Sequence, residues 1–302
     1  MARPRPLLAL SLLAVPALAQ AQDIEPRAFS NAPVGVNFLI GGYAYTRGGL
    51  STDPAVPITN SQLETSSAVL AYARVLDLWG KSAKVDVVLP VTWLSGTAQL
   101  AGQPIERTVD GLGDARVRLS VNLYGAPALT LKEFREYRQD LILGASFAIT
   151  APTGQYDPSR VVNLGTNRWS FRPELGVSKA LGPLTLELTA GATFFTENTN
   201  YFGGRTRSQD PITSVQAHAI YNFPHGIWAS FDATYFTGGR TTVDGELNSD
   251  LQRNWRLGAT LAFPLSVHHS IKLYASSGVS ARTGNNYDLI GIALQYRWGG
   301  GL

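Results

Sequence analysis

Charged side chains recur two positions apart in several stretches of this chain of 302 residues. Arg116 and Arg118 form one such pair, and Arg172 and Glu174 form another. Side chains two apart in a β-strand share a face, so these groups would converge, either binding ionic solutes or pairing across neighbouring strands. Both interpretations stay open, since some groups can pair while others line a path. The candidates on predicted polar strand faces are Lys84, Asp86, Arg116, Arg118, Arg172, Glu174, Glu187, His218, Asp232, Arg256, Lys272 and Arg297.

Histidine offers a different chemistry, that of a catalytic base. His218 lies on a polar strand face, whereas His225, His268 and His269 fall in predicted turns. A nucleophile needs a base within hydrogen-bond reach, and the sequence places no Ser or Asp beside His218. A hydrolase remains an alternative, and it requires such a partner at the lipid boundary. Without zinc spacing, an EF-hand loop or a phosphate-binding glycine motif, we expect no catalytic residue, metal or cofactor.

The elements that must position these groups are strands, because polarity alternates with a period of two. Near the C-terminus, Ile290, Ile292 and Leu294 alternate with Gly291 and Ala293. Each segment is long enough to cross the hydrocarbon layer as a tilted strand. The twelve predicted segments are 35–47, 64–76, 83–97, 113–123, 140–150, 169–180, 184–196, 212–222, 227–238, 252–263, 270–281 and 287–298.

A soluble sandwich also alternates, but four features favour an antiparallel transmembrane β-barrel of the outer-membrane type with about 12 strands. The segments exceed the usual strand length of five or six residues. Their polar faces suit a watered lumen, and short connections alternate with long ones, as periplasmic turns and outer loops do. Aromatic residues mark the ends of the apolar faces, as interfacial girdles do. They are Trp93, Trp169, Trp255, Tyr296 and Trp298.

The N-terminus is typical of a secretory signal peptide over residues 1–22. Arg3 and Arg5 precede the apolar stretch 7–18, and small residues offer a cleavage site. Cleavage lowers the formal net charge from +3 to about +1, which argues against nucleic-acid binding. Residues 23–34 would form a short periplasmic segment, and 35–302 the barrel. No later apolar run of about 18 residues exists, so transmembrane helices are excluded.

Two connections stand out by length and composition. Residues 124–139 are partly amphipathic, with Leu131, Phe134 and Tyr137 able to share one face of a helix that closes one end. Loop 151–168 carries turn-forming residues, and we expect it to fold inward and narrow the lumen; an ordinary outward loop is the alternative. The predicted constriction residues are Pro152, Thr153, Gly154, Tyr156, Asn163, Asn167 and Trp169.

Several short motifs are familiar as a set. They are 23–27 (DIEPR), 32–38 (APVGVNF), 80–84 (GKSAK), 111–114 (GLGD), 125–129 (GAPAL) and the stretch 151–176 with Trp169, Phe171, Pro173, Glu174 and Gly176. With them the chain resembles the outer-membrane transporter-like family named for the meta-pathway of phenol degradation. The resemblance implies uptake of aromatic or other hydrophobic compounds, and it carries no catalytic residues. A related branch exports amyloid through a barrel with a periplasmic coiled coil, for which about a dozen residues before the first strand leave too little chain.

We therefore expect a bacterial outer-membrane channel or transporter that passes small compounds passively, aromatic or hydrophobic ones among them. Twelve strands imply an intermediate diameter, between filled eight-stranded and open 16-stranded barrels. The expected partners are outer-membrane lipid, a small solute and, during insertion, the barrel assembly machinery. Besides the hydrolase, a structural or secretion barrel with a plugged lumen remains an alternative. The predicted lumen residues are Arg116, Arg118, Arg172, Glu174, Glu187, His218, Asp232, Arg256 and Arg297.

Overall fold

Antiparallel strands close on themselves into a barrel in the computed structural model of this chain. The structure describes residues 24–49, 58–100, 102–160, 162–281 and 286–302, so the predicted signal peptide lies outside the described residues. The main strands are β1 (Val36–Gly49), β2 (Ile58–Leu78), β3 (Lys81–Leu100), β4 (Gln103–Leu112), β5 (Arg116–Tyr124), β6 (Leu141–Thr150), β7 (Ser170–Leu181) and β8 (Leu184–Phe195). They continue with β9 (Asn198–Tyr201), β10 (Arg205–Gln209), β11 (Ile212–Asn222), β12 (Trp228–Gly238), β13 (Thr241–Val243), β14 (Glu246–Leu247), β15 (Gln252–Pro264), β16 (His269–Ala281) and β17 (Asn286–Gly299).

Hydrogen bonding follows the order β2-β1-β17-β16-β15-β12-β11-β8-β7-β6-β5-β3, and β2 also pairs with β3, which closes the circle. Strand β4 extends the line of β5 along β3, after a break at residues 113–115. In the described residues the barrel therefore has twelve strand positions, and the predicted fold class is confirmed. The seam between chain ends runs along all of β1, from Val36 opposite Gly299 to Gly49 opposite Asn286.

The two faces of the wall differ as the alternation predicts. In β11, Gln216 and His218 are buried inward, while Val215 and Tyr221 are exposed on the outer face. Outward apolar side chains in a barrel contact lipid. Among the described residues, no helix combines the length and the apolar character needed to cross a membrane.

Aromatic residues form a girdle at each end of the outer face. Trp93, Trp169 and Trp255 are exposed near the ends of the strands that carry the long connections. At the opposite end, Tyr296 stacks on Trp298 with ring centroids 5.4 Å apart. Such girdles are typical of the two membrane interfaces. Trp169 therefore belongs to the outer girdle and does not face the lumen, which corrects its place in the predicted constriction.

The regions predicted as long loops contain more strand than the alternation indicates. Strand β4 falls within the predicted loop 98–112, and β2 and β3 extend beyond their predicted ends. A second sheet of order β14-β13-β10-β9 forms from the predicted loops 197–211 and 239–251. Burial alternates along β4, but its less exposed positions include Arg107 and Gly111 as well as Ile105 and Val109, and β10 shows no alternation. The apolar period-two signal therefore fades where the strands leave the membrane.

The connection 124–139 lies at the short-turn end. Its helix α1 (Leu131–Phe134) spans a single turn, capped by Thr130 and Glu133. This is shorter than the amphipathic helix predicted, although Phe134 still stacks on Tyr137 at 5.6 Å. The preceding residues tie two regions together, because Ala128 donates a backbone hydrogen bond to Gly80, and Val34 donates one to Leu129. The connection thus fixes the point at which the N-terminal segment meets the barrel.

Candidate functional site

Residues 24–34, the N-terminal segment, lie inside the barrel. The sequence pattern predicts a periplasmic position for residues 23–34; the structure instead places the described part against lumen-facing side chains. Gly35 donates a backbone hydrogen bond to Val75 at 3.0 Å, which fixes the base of the segment. The chain then rises along the lumen until Glu25 reaches strand β5. A segment this short shows no repeating pattern of polar and apolar residues, so its sequence does not indicate which part of the barrel wall it contacts.

Phe29 anchors this segment in a slot made by two glycines. Gly144 of β6 and Gly176 of β7 lie directly opposite each other. A Cβ atom on either glycine would lie 2.1 Å from a ring carbon of Phe29. The ring is 3% exposed and packs on Ala126 and Ile142. Only glycine leaves room for the aromatic ring here, so the slot and Phe29 fit together as a steric pair.

Glu25 joins the segment to the most densely charged part of the wall. Arg116 Nη2 lies 3.1 Å from Glu25 Oε1, and Arg118 Nη1 contacts Glu25 Oε2. Arg118 also bonds Asp86, with 3.0 Å between Nε and Oδ1. Across the lumen, the backbone N–H of Glu25 donates to Gln216 Oε1 at 3.3 Å. We name Glu25, Asp86, Arg116 and Arg118 the latch cluster, because their contacts hold the segment to the barrel wall.

Further lumen charges hold the backbone of the segment. The backbone N–H of Arg27 donates to Glu187 Oε2 at 2.6 Å, and Ser178 donates to the other oxygen of Glu187 at 2.9 Å. Lys84 Nζ donates to the carbonyl of Ala28 at 3.2 Å. Some predicted lumen charges therefore bind the protein's own N-terminal segment.

A cavity with about 530 Å³ of empty space, part of it open to solvent, lies beside the latch cluster. It is lined by Glu25, Ala28, Arg116, Arg118, Ser146, Ala148, Thr150, Ser170, Arg172, Glu174, Thr189, Thr193 and Gln216. Arg172 pairs with Glu174 at 2.9 Å and donates to Ser214 at 3.3 Å. Four predicted lumen residues, Arg116, Arg118, Arg172 and Glu174, therefore meet at one cavity, where cationic and small polar side chains are in contact with solvent-sized space.

Two other predicted lumen residues lie away from this cavity. Arg256 is 3.7 Å from the centroid of the Tyr287 ring and donates to the Tyr287 carbonyl at 2.7 Å. Arg297 Nε donates to the carbonyl of Val267 at 2.6 Å, next to a short turn. Each lies toward a different end of the barrel, so the predicted set does not form a single site.

His218 and Asp232 form a buried pair, with 2.8 Å between Nδ1 and Oδ1. Ser230 donates to the other oxygen of Asp232 at 3.0 Å. A hydrolase needs its nucleophile on the free imidazole nitrogen, yet His218 Nε2 has no hydrogen-bond partner among the described residues. The acidic partner required by the hydrolase alternative is present, but it lies in the lumen rather than at the lipid boundary.

Loop 151–168 is pinned to the break between β4 and β5. Both carboxylate oxygens of Asp114 accept backbone N–H groups, from Gly154 and Thr166, at 2.9 Å each. Gly154 and Gly165 approach so closely that a Cβ on the first would lie 2.6 Å from the Cα of the second. Ala115 also donates to Thr153 Oγ1 at 2.9 Å. The glycines of this loop therefore serve a tight backbone crossing.

The rest of the loop packs on neighbouring outer hairpins. Tyr156 OH donates to the carbonyl of Asn200 at 3.0 Å, and Asn167 donates to Asn198 Oδ1 at 2.9 Å. Asn163 bonds within the loop, where its Oδ1 accepts from Asp157 at 2.9 Å. Pro152 follows the end of β6. None of the described residues between 152 and 168 lines the 530 Å³ cavity, so a constriction by this loop stays a prediction.

Three functional candidates escaped the sequence patterns: Glu25, Phe29 and Arg168. Glu25 lies in the DIEPR motif quoted above, which was the one available signal. The role of Phe29 could be predicted only if the cross-strand pairing of Gly144 with Gly176 were already known. Arg168 is the last residue of loop 151–168, and its side chain is buried beside Phe195.

The described geometry can be compared with known proteins. A family model described as "Putative MetA-pathway of phenol degradation" matches residues 35–298. The chain belongs to this family. Its closed barrel with an apolar outer face is that of an outer-membrane protein. No curated protein matches the sequence.

Solved structures share the fold. The chain is similar to the COG4313 outer membrane channel from Pseudomonas putida F1, with a TM-score of 0.77 and 18% identity over 91% of this chain and 100% of that one. It is also similar to the β-domain of the Bordetella autotransporter BrkA, with a TM-score of 0.53 and 11% identity over 87% and 100%. For the transport unit of the autotransporter AIDA-I from Escherichia coli, the TM-score is 0.51 with 9% identity over 89% and 92%.

Proposed function

We propose that this protein is an outer-membrane channel through which small solutes pass passively. The observation that carries the proposal is the 530 Å³ cavity lined by charged groups within a closed barrel. Charges facing a watered lumen act on solutes through their local field and tune selectivity. The similarity to an outer membrane channel supports the same function.

The solutes we propose are small aromatic compounds that carry a negative charge. The family description connects the protein with phenol degradation, which supports an aromatic solute. The cavity supports the charge preference, because three guanidinium groups, those of Arg116, Arg118 and Arg172, lie on its lining, and each has five N–H donors, more than one carboxylate accepts. Arginine presents a planar fork of donors that matches a carboxylate. A purely hydrophobic solute would gain nothing from this lining.

In this proposal the N-terminal segment controls the width of the path. Its Phe29 occupies the glycine slot and its Glu25 occupies the latch cluster. Both contacts are non-covalent, so the segment can shift while the barrel stays intact. Passage would then depend on how often the segment leaves its position or leaves space beside it.

Conductance and swelling measurements test the proposal. The purified protein would be inserted into planar bilayers and liposomes, and benzoate would be compared with uncharged benzyl alcohol of similar size. We expect single-channel conductance and faster entry of benzoate than of benzyl alcohol. A Phe29→Ala variant supplies an opened form for comparison. No permeation of any small solute through either form would contradict a channel and would favour the sealed structural or secretion barrel.

A hydrolase has a separate test, because the His218–Asp232 pair supplies part of its chemistry. A hydrolase predicts cleavage of an ester or phospholipid that is lost in His218→Ala. The channel predicts that conductance persists in that variant, since His218 does not line the cavity.

A further inference from the structure

Arg168 is a buried guanidinium whose donors are only partly used. Its side chain is 7% exposed at the end of loop 151–168. The guanidinium carbon lies 4.3 Å from the centroid of the Phe195 ring, and Nη2 donates to Gln209 Oε1. Its Nη1 is buried and has no hydrogen-bond partner among the described residues. Stacking and a single amide thus leave an N–H group unsatisfied.

Arg207 of β10 lies near the guanidinium of Arg168 and also has a buried N–H group without a hydrogen-bond partner in the part of the chain that the structure describes. Its guanidinium carbon is 5.2 Å from the centroid of the Tyr201 ring, and its Nε is buried without a partner in the described residues. Arg207 and Gln209 are two apart on one strand, so they share a face. Burial, together with the positive charge of Arg207, lowers the pKa of Arg168 to about 9. The two cations therefore repel each other, Arg168 from a buried position and Arg207 from a half-buried one.

The acid nearest in effect to Arg168 is Asp114, whose oxygens already accept hydrogen bonds from other residues. The negative charge of Asp114 favours the charged form of Arg168, but its oxygens accept the N–H groups of Gly154 and Thr166 and the hydroxyl of Thr166. Among the described residues no carboxylate forms an ion pair with Arg168 or Arg207. A buried charge without a carboxylate partner is costly, and the half-buried Arg207 adds a second positive charge beside Arg168. Neither arginine therefore has a carboxylate of its own among the described residues.

The surrounding side chains hold Arg168 in place. Asn198 donates to Tyr156 OH at 2.9 Å and accepts from Asn167, the residue before Arg168. On the other side, Gln209 Nε2 donates to the carbonyl of Gly239 at 2.8 Å, which aims its oxygen at Arg168. A binding site of this kind is preorganised, because its donors need no further ordering when a ligand arrives.

We propose that Arg168 and Arg207, flanked by Phe195 and Tyr201, form a binding site for a small carboxylate at the outer mouth of the barrel. The unsatisfied N–H groups supply charge-assisted hydrogen bonds to the two carboxylate oxygens. This outer arginine site is separate from the 530 Å³ cavity, since neither arginine lines that cavity. It concerns binding alone and does not require that the barrel conduct.

Calorimetric titration of the purified full-length protein with benzoate tests the site, with benzamide as the uncharged analogue. We expect benzoate to bind and benzamide not to bind. Arg168→Gln and Arg207→Gln should each weaken benzoate binding about tenfold, as expected for the loss of a hydrogen bond to a charged group. Arg160→Gln is the matched control, because Arg160 belongs to the same loop and its side chain is 59% exposed.

Several outcomes would overturn the proposal. One is equal binding of benzoate and benzamide, because the site would not then recognise charge. Another is unchanged benzoate binding in both Arg168→Gln and Arg207→Gln. A third is loss of binding in Arg116→Gln but not in Arg207→Gln, which would place the ligand in the lumen. Since substitution of Arg168 can loosen the loop, Arg207→Lys provides a second variant. It keeps the positive charge but loses the planar guanidinium, so we expect it to bind benzoate more weakly than the unsubstituted protein.

Failure of this site and failure of the channel are distinguishable. Benzoate binding with no conductance in bilayers would support the outer arginine site and contradict the proposed channel. Conductance with no benzoate binding would support the proposed channel and contradict the outer arginine site.

Discussion

The latch cluster and the outer arginine site use the same side chain in opposite ways. Arg118 bonds two carboxylates, Glu25 and Asp86, so its charge is matched within the protein. Arg168 and Arg207 have aromatic rings and an amide as neighbours, and no carboxylate of the described residues pairs with either. A matched arginine in a buried site holds the structure together, whereas an unmatched one has binding capacity left for a ligand. Partners therefore distinguish the two roles better than residue type does.

Loss of Glu25 should have the largest effect on the latch cluster. We expect Glu25→Ala to raise single-channel conductance several-fold, because removing one partner of a buried ion pair costs about 3–5 kcal/mol and frees the N-terminal segment. Planar-bilayer recordings measure this directly. Glu106→Ala is the control, since Glu106 is exposed on β4. Unchanged conductance would show that the ion pairs do not hold the segment.

Loss of Asp86 should reveal the structural side of the same cluster. Asp86 is 1% exposed, and its removal leaves Arg118 with one carboxylate fewer. We expect Asp86→Ala to lower the free energy of unfolding by about 3 kcal/mol. Urea-induced unfolding in lipid vesicles measures it. A change below about 1 kcal/mol, typical of an exposed pair, would contradict a structural role for this ion pair.

The glycine slot offers a steric test that leaves all charges in place. In Gly176→Ala the added methyl group would meet the Phe29 ring, so we expect the segment to loosen and conductance to rise, though less than in Glu25→Ala. Gly41→Ala is the matched control, because no atom lies within 4 Å of a Cβ at that strand glycine. Equal conductance of the two alanine variants would contradict the steric pairing of Phe29 with the slot.

The smallest effect should come from the outer arginine site. Arg207 is half-buried and has no carboxylate partner among the described residues, so its replacement breaks no ion pair and should change stability little. We therefore expect Arg207→Gln to change the free energy of unfolding by less than about 1 kcal/mol in the absence of a ligand, in the same urea experiment. A loss as large as that of Asp86→Ala would mean that Arg207 is structural, and the contrast between the two clusters would disappear.

The sequence predicts the barrel well because lipid on one face and water on the other impose the period of two. The alternation through Ile290, Ile292 and Leu294 falls in β17, and each of the twelve predicted segments overlaps a strand of the wall. Outside the membrane that constraint ends, and β4 and the small outer sheet were predicted as loops. Their pairing depends on partners elsewhere in the chain, which a local pattern does not record.

The site was predictable only in part. Arg116 and Arg118 lie on a polar face, so their inward position follows from alternation. Glu25 pairs with them across about 90 residues of sequence, and no local signal indicates that contact. Arg168 carries the charge of an ordinary loop arginine, and only its burial beside Phe195 sets it apart. Charge can be read from sequence, but the presence or absence of a partner depends on tertiary contacts.

The seam between β1 and β17 has a consequence for the order of assembly. The N-terminal segment directly precedes β1, and β1 takes as its second partner the last strand of the described chain. The wall is therefore incomplete until β17 is in place, whereas β6 and β7, which hold Phe29, come earlier in the chain. We therefore expect the pairing of β1 with β17 to be the last step of barrel closure, and this step brings the two ends of the wall together beside the N-terminal segment.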